Sequence, residues 1–200
     1  MPEILVLYYS PGGTTAEMAN VIAHGIEEVD GMQARLRCVP NVSPVTAQVE
    51  DDVPPSGPPY ATPHDLEQCA GLVLGSPTHF GNMPAAMKFF IDSTSSLWIS
   101  GALAGRPAGV FTASTSMHGG QESTLLTMML PLLHHGMLIV GLPYTCTELF
   151  RTRTGGTPYG ASRLTHELED TPLSDDERAL CRALGKRVAE TARRLLGQIE

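Results

Sequence analysis

Short unbroken apolar runs alternate along this chain with stretches whose apolar residues recur at helical spacing, and this alternation limits the possible folds. Ile4-Leu5-Val6-Leu7-Tyr8-Tyr9 is too short for a helix and rich in strand formers. Such a run reads as a strand buried on both faces, as in a parallel sheet. Ser10-Pro11-Gly12-Gly13-Thr14-Thr15 interrupts it. Met18, Ile22, Gly25, Ile26 and Val29 then keep a helical period up to the stop at Asp30-Gly31. Further strands are predicted at 34–39, 71–75, 108–112 and 138–140. Pro84 suits the first turn of a helix through Phe89, Phe90 and Ile91. Residues 121–135 read as a buried helix that Pro131 must kink or end early. Ser174 with Glu177 is a capping box, opening a last helix on Leu180, Leu184, Val188, Ala192 and Leu196. Residues 41–63 and 143–172 read as long irregular stretches. The whole predicts an open five-stranded parallel α/β sheet with helices on both faces, one domain over residues 1–200.

Composition excludes several functions. Hydrophobic residues make up 42% of the 200 and charged residues 17%, enough for a sizeable core. The net charge of −8 argues against nucleic acid as the main partner. The most apolar stretch, 125–142, is broken by Pro131, His134 and His135, so no membrane span is expected. The N-terminus does not have the pattern of a secretory signal. Cys38, Cys69, Cys146 and Cys181 form no close pair, which fits reduced thiols in the cytoplasm better than disulfides or zinc. The sequon at 41–43 then reads as a chance match. The adjacency of His134 and His135 does not suit a shared metal, and no metal site is expected.

In open parallel sheets, ligands bind outside the carboxyl ends of the strands. Three predicted loops at that end share a chemistry of Gly, Ser, Thr and His with few charges. The first, Ser10 to Thr15, opens a helix whose free N–H groups and dipole suit an anion. It has no Lys, so it is not a P-loop, and it lacks G-x-G-x-x-G. Its neutral donors suit a phosphate monoester; its plainer reading is a Gly-rich turn. The second, Ser76-Pro77-Thr78-His79-Phe80-Gly81-Asn82-Met83-Pro84, is stiffened by two prolines and offers His79 or Phe80 to a ring, unless Phe80 belongs to the core. The third, Ser114-Thr115-Ser116-Met117-His118-Gly119-Gly120, could wrap the polar edge of a heterocycle, or be a plain surface loop. Trp98 follows in a Ser-rich segment, 95–101, that suits an exposed turn. A lone Trp is otherwise a core or interface anchor. His134 at a helix end would otherwise serve the dipole.

Together these loops resemble the flavodoxin-like proteins, and within them the type IV NAD(P)H:quinone oxidoreductases, the tryptophan-repressor-binding-protein family. The motifs that carry the likeness run over nearly the whole chain: Val6-Leu7-Tyr8-Tyr9-Ser10, Gly75-Ser76-Pro77-Thr78, Phe80-Gly81-Asn82-Met83, Ser96-Leu97-Trp98, Gly119-Gly120-Gln121-Glu122, His134-His135-Gly136-Met137 and Gly155-Gly156-Thr157-Pro158-Tyr159-Gly160. The resemblance implies FMN as cofactor, with its phosphate on Ser10, Pro11, Gly12, Gly13, Thr14 and Thr15. It implies ring contacts from Pro77, Thr78, His79 and Phe80, from Ser114, Thr115, Ser116, Met117, His118 and Gly119, and from His134. It implies Trp98 over the open face, where NAD(P)H and then a quinone would stack in ping-pong order, and a homotetramer with sites near subunit contacts. Two residues depart from the family. Gly12 stands where a bulky aromatic or imidazole side chain is common. His79 stands where Arg is common, replacing a fixed charge with one that titrates. Other roles compatible with the residues are a one-electron flavodoxin carrier and a non-enzymatic partner of a transcription regulator. The Trp98 segment and residues 155–160 have no use in a minimal flavodoxin.

Overall fold

The computed structural model describes residues 1–42, 54, 56–165 and 172–197. Ser43 of the sequon, and residues 166–171 of the second irregular stretch, lie outside these. The first half reads β1 (Glu3–Tyr8), α1 (Thr14–Glu27), β2 (Gln33–Cys38), α2 (Pro63–Gln68), β3 (Gly71–Pro77), α3 (Ala85–Asp92) and α4 (Ser95–Ser100). The second half reads β4 (Pro107–Ser114), α5 (Gln121–His134), β5 (Leu138–Ile139), α6 (Glu148–Arg151), β6 (Ala161–Leu164) and α7 (Asp175–Leu196).

All strand pairings are parallel, in the order β2-β1-β3-β4-β5, with β6 also on β4. Period-2 alternation divides the core. Ile4, Val6 and Tyr8 face α1 and α7 with Met18, Ile22, Leu180, Leu184 and Val188. Leu5 and Leu7 face the other helical layer with Met87, Phe90, Leu97, Leu125, Met128 and Leu132. Helices on both faces of a parallel sheet are thus present as the apolar runs predict. The chain turns from β1 outward to β2 and then back across to β3, so the strand order reverses beside β1.

The fifth strand differs from expectation. β5 pairs only Pro107 and Ala108 of β4, whereas β6 takes the same edge from Phe111 to Ser114. One lane of the sheet is therefore filled twice, and the chain between leaves the sheet and returns. Ala161-Ser162-Arg163-Leu164 escaped the sequence reading because Ser162 and Arg163 are polar, yet all four are buried. Each polar group is matched: Ser162 Oγ accepts from Gly156 N at 2.8 Å, and the Arg163 guanidinium pairs with Glu17. The short helices α4 and α6 lie where a turn and an irregular stretch were predicted, and α2 begins where the first irregular stretch ends, over residues given no element. Pro131 neither ends nor breaks α5, which runs on to His134, with His135 N donating to Pro131 O at 3.0 Å.

Glu177 does more than cap α7. Its carboxylate accepts from Ser174 N at 2.9 Å, as a capping box requires, and also from Gly155 N at 2.9 Å and Leu164 N at 3.1 Å. It is buried, so these N–H groups have no water to replace it. Ser174→Ala should cost about 1 kcal/mol, the worth of one N-cap. Glu177→Ala should cost about 3 kcal/mol or more, since three buried donors lose their acceptor. Urea unfolding of the two variants checks the ranking, and equal losses would reduce Glu177 to a cap.

Candidate functional site

The β1–α1 turn gathers free donors, most of them backbone N–H groups. Gly13 caps α1 in the left-handed region at φ 83°, where a side chain would be strained. With no side-chain cap, the N–H groups of Gly12, Gly13, Thr14 and Thr15 meet no acceptor among the described residues. Ser10 Oγ accepts from Ala16 N at 3.0 Å, which fixes the turn and leaves the Ser10 hydroxyl proton free to donate. Thr15 is buried beneath and Thr14 half-buried, while Pro11, Gly12 and Gly13 stand at the mouth. A Cβ on Gly12 would meet nothing within 4 Å, so the space beside it is open. Converging free donors at a helix N-terminus hold a phosphate.

The loops after β3 and β4 meet beside this turn. Gly81 and Gly120 both have positive φ, and a Cβ on Gly120 would come within 2.9 Å of Gly81 Cα. This close approach was not read from the sequence; the glycines were visible there, but not that they touch. Thr78 N donates to Ala113 O at 2.9 Å. The Thr112 hydroxyl gives its one proton to Ser76 O at 2.8 Å, so Thr78 donates to Thr112 Oγ1 at 3.0 Å and keeps its own oxygen as an acceptor. Past Pro77, residues 79–82 close a tight turn by mutual backbone bonds between His79 and Asn82. Phe80 within it is left-handed at φ 52° and fully exposed, with His79 beside it exposed too, so the core reading of Phe80 is corrected. A non-glycine held there stores about 1–3 kcal/mol of strain, a pattern that clusters at ligand sites.

The third loop is braced from within. Buried Ser114 donates to Ser116 O at 2.7 Å and accepts from Ser116 N at 3.1 Å, and Gly119 N returns to Ser116 O. Gln121 Nε2 ties down the carbonyls of Ser116 and Met117. The N–H groups of Thr115, Met117 and His118, on exposed residues of the loop, are left without acceptors among the described residues. A cleft of about 490 Å³ opens beside it, between His118 or Glu122 and Thr154 or Ser162. Among the described residues no cluster of ligating side chains could hold a metal.

Trp98 and His134 stand elsewhere. α5 starts at the carboxyl end of β4 and runs about 20 Å back along it. It ends where Gly105 N donates to Gly136 O at 2.8 Å and Leu138 N to Arg106 O at 2.9 Å. Trp98 lies at this same end, its carbonyl accepting from Gly101 N at 3.1 Å. Both are therefore about 25 Å, the length of β4, from the loops of their own chain. Trp98 sits on helix α4, which corrects the predicted turn. Leu97 faces the core, and Trp98 is 54% exposed, so it is not a core residue. His135, beside His134, is half-buried. Burial first, and the neighbouring His134 second, lower its pKa from the ordinary imidazole value.

A profile of the NADPH-dependent FMN reductase family matches residues 2–148. The chain belongs to that family. Relatives named NAD(P)H dehydrogenase (quinone) match it almost end to end. One from Acidithiobacillus ferrooxidans is 41% identical over 98% of this chain and 100% of its own. One from Geobacter sulfurreducens is 42% identical over the same shares. Among solved structures, a WrbA-like flavodoxin from Agrobacterium tumefaciens superposes with a TM-score of 0.69 at 24% identity, over 97% of this chain and 99% of that one. A flavodoxin from Bacillus cereus gives 0.61 at 19%, over 94% and 97%. These two likenesses bear out the flavodoxin-like fold, and the family bears out the resemblance read from the motifs.

The His135 imidazole gives this FMN reductase family member a pH dependence of known sign. A histidine whose folded pKa lies below its unfolded value of about 6.5 adds stability above that pH and loses it as pH falls through the folded value. The melting temperature should therefore fall on acidification below about pH 6.5, and a His135→Leu variant should lack that component. Identical pH profiles for the two would exclude His135 as the group.

Proposed function

We propose that this protein is an FMN-dependent NAD(P)H:quinone oxidoreductase. The observation that carries the reading is the set of free backbone donors at the strand-order reversal, in a chain whose relatives over 98% of its length are named NAD(P)H dehydrogenase (quinone). A terminal phosphate fits the Gly12 to Thr15 donors, and FMN carries one. The heterocycle fits between the Thr78 to Phe80 turn and the Thr115 to Gly119 loop, whose free N–H groups meet the polar edge of a ring. When bound, FMN accepts two electrons from NAD(P)H and gives them to a quinone.

The residues of this chain bind and orient. The helix α1 N-terminus would hold the phosphate, and the two loops that touch at Gly81 and Gly120 would hold the ring. NAD(P)H and the quinone use one face of the ring in turn. Phe80 and an indole supply stacking surface there, and neither His79 nor His118 is singled out as a proton donor.

Trp98 and His134 belong to this site in an assembly. Their own chain's loops are out of reach, and a homotetramer brings them from other copies. Two separate apolar surfaces support more than a dimer. Phe89, Ile99, Leu126, Leu130 and Leu133 are exposed on the α3–α5 layer, and Tyr144 and Phe150, with ring centroids 5.1 Å apart, on the excursion after β5. The whole chain acts as one domain in the cytoplasm, where its four free cysteines stay reduced. Nucleic acid is not a partner of so acidic a chain, and no helix among the described residues is long and apolar enough to cross a membrane.

The purified protein titrated with FMN should bind it in preference to FAD, and anaerobic NADH should bleach the yellow colour. Gly13→Val, strained at φ 83°, should weaken FMN binding at least about tenfold. FAD binding as tight as FMN, or colour that survives NADH, would overturn the reading. Sedimentation of the FMN-loaded protein should give a tetramer; a monomer at every concentration would refute the shared site.

A further inference from the structure

From the geometry at the amino end of the sheet, we infer that Thr94 and His135 are a positioning pair that sets Trp98 against the substrate. The inference rests on the reading above, in which Trp98 stacks on substrate bound at another copy's loops. α4 has six residues, too few to hold themselves helical, and its N-cap Thr94 makes no side-chain cap. What Thr94 does instead is anchor. Its carbonyl takes the N–H of both Leu97, at 3.0 Å, and Trp98, at 3.2 Å. Its hydroxyl donates to Ile91 O at 2.7 Å and meets His135 Nε2 at 3.0 Å.

The proton count assigns the roles. A hydroxyl has one proton, and Ile91 holds it, so His135 Nε2–H donates to Thr94. His135 Nδ1 is then bare, and it is buried with no partner among the described residues. The imidazole borders a cavity of about 20 Å³ walled by Leu7, Leu74, Phe90, Leu103 and Leu132. Thr94 itself is 1% exposed. A polar bond with an orphaned nitrogen in an apolar setting is poor design for stability, because two apolar groups of the same shape serve as well. It is good design for direction. The bond joins the first turn of the Trp98 helix to the end of α5 at the residue after His134, so the two residues assigned to the substrate face move as one piece.

Trp98 is the single tryptophan, so its emission reports this link directly in the FMN-loaded protein. Thr94→Val should raise the KM for a benzoquinone about three- to tenfold, the worth of one hydrogen bond, with kcat and FMN affinity little changed. Its Trp98 emission should become more open to acrylamide. Thr94→Ser should restore both. The double variant Thr94→Val/His135→Leu should melt no lower than the wild type at neutral pH yet keep the raised KM. Trp98→Ala, assayed in parallel, should raise KM at least as much. If Trp98→Ala raises KM while the Thr94 variants leave KM and emission unchanged, the positioning role is wrong and the site reading stands. If Trp98→Ala leaves KM unchanged, the substrate-face reading fails and the positioning role with it. A loss of FMN, or a melting temperature of the double variant that falls in step with its KM, would make the pair merely structural.

Discussion

The parallel pairing of β4 with β3 on one edge, and with β5 and β6 on the other, is the constraint on which the rest depends. A parallel neighbour cannot be reached by a hairpin, so each connection crosses a face of the sheet as a helix. Every strand then delivers its following loop to the same end. This is why three short, uncharged loops, separated by tens of residues, converge on one place. The β6 pairing also demands that two polar residues be buried beside β4, and that demand is met by Glu17 and by the Glu177-braced loop at Gly155.

Glu17 shows how closely the β1–α1 turn is tied to this frame. It lies in the first turn of α1, accepts from Leu173 N at 3.3 Å and pairs with the buried Arg163. The helix whose N-terminus carries the free donors is thus held against the last strand and the approach to α7. The free donors of the turn are the backbone N–H groups from Gly12 to Thr15 and the Ser10 hydroxyl, while Glu17 spends its charge on Arg163. In the other two loops Thr112 and Gln121 brace the chain, leaving the Thr78 oxygen able to accept in one, and the N–H groups of Thr115, Met117 and His118 in the other without acceptors among the described residues.

Much of this was legible in the sequence, and the reasons for the exceptions are physical. Residues 4–9, 71–75 and 108–112 announce buried strands because both faces are apolar, and the Ser174–Glu177 box marks the start of α7. β6 was hidden because its polar residues are neutralised by partners that are distant in sequence, Glu17 being 146 residues from Arg163. α4 was hidden because its serines resemble a turn, whereas Leu97 and the Thr94 anchor make it a helix. At the site, the loops and their donors could be read residue by residue. The touch of Gly81 on Gly120, the second duty of Glu177 and the distance of Trp98 from its own chain's loops could not, because each is a relation between elements rather than a property of one.

In the proposed reaction NAD(P)H and quinone use one flavin face in turn. Initial rates measured over a grid of NADH and benzoquinone concentrations test it most directly. The account predicts parallel double-reciprocal lines, because the first product leaves before the second substrate enters. Lines that intersect would mean both substrates are bound at once and would contradict a single shared face.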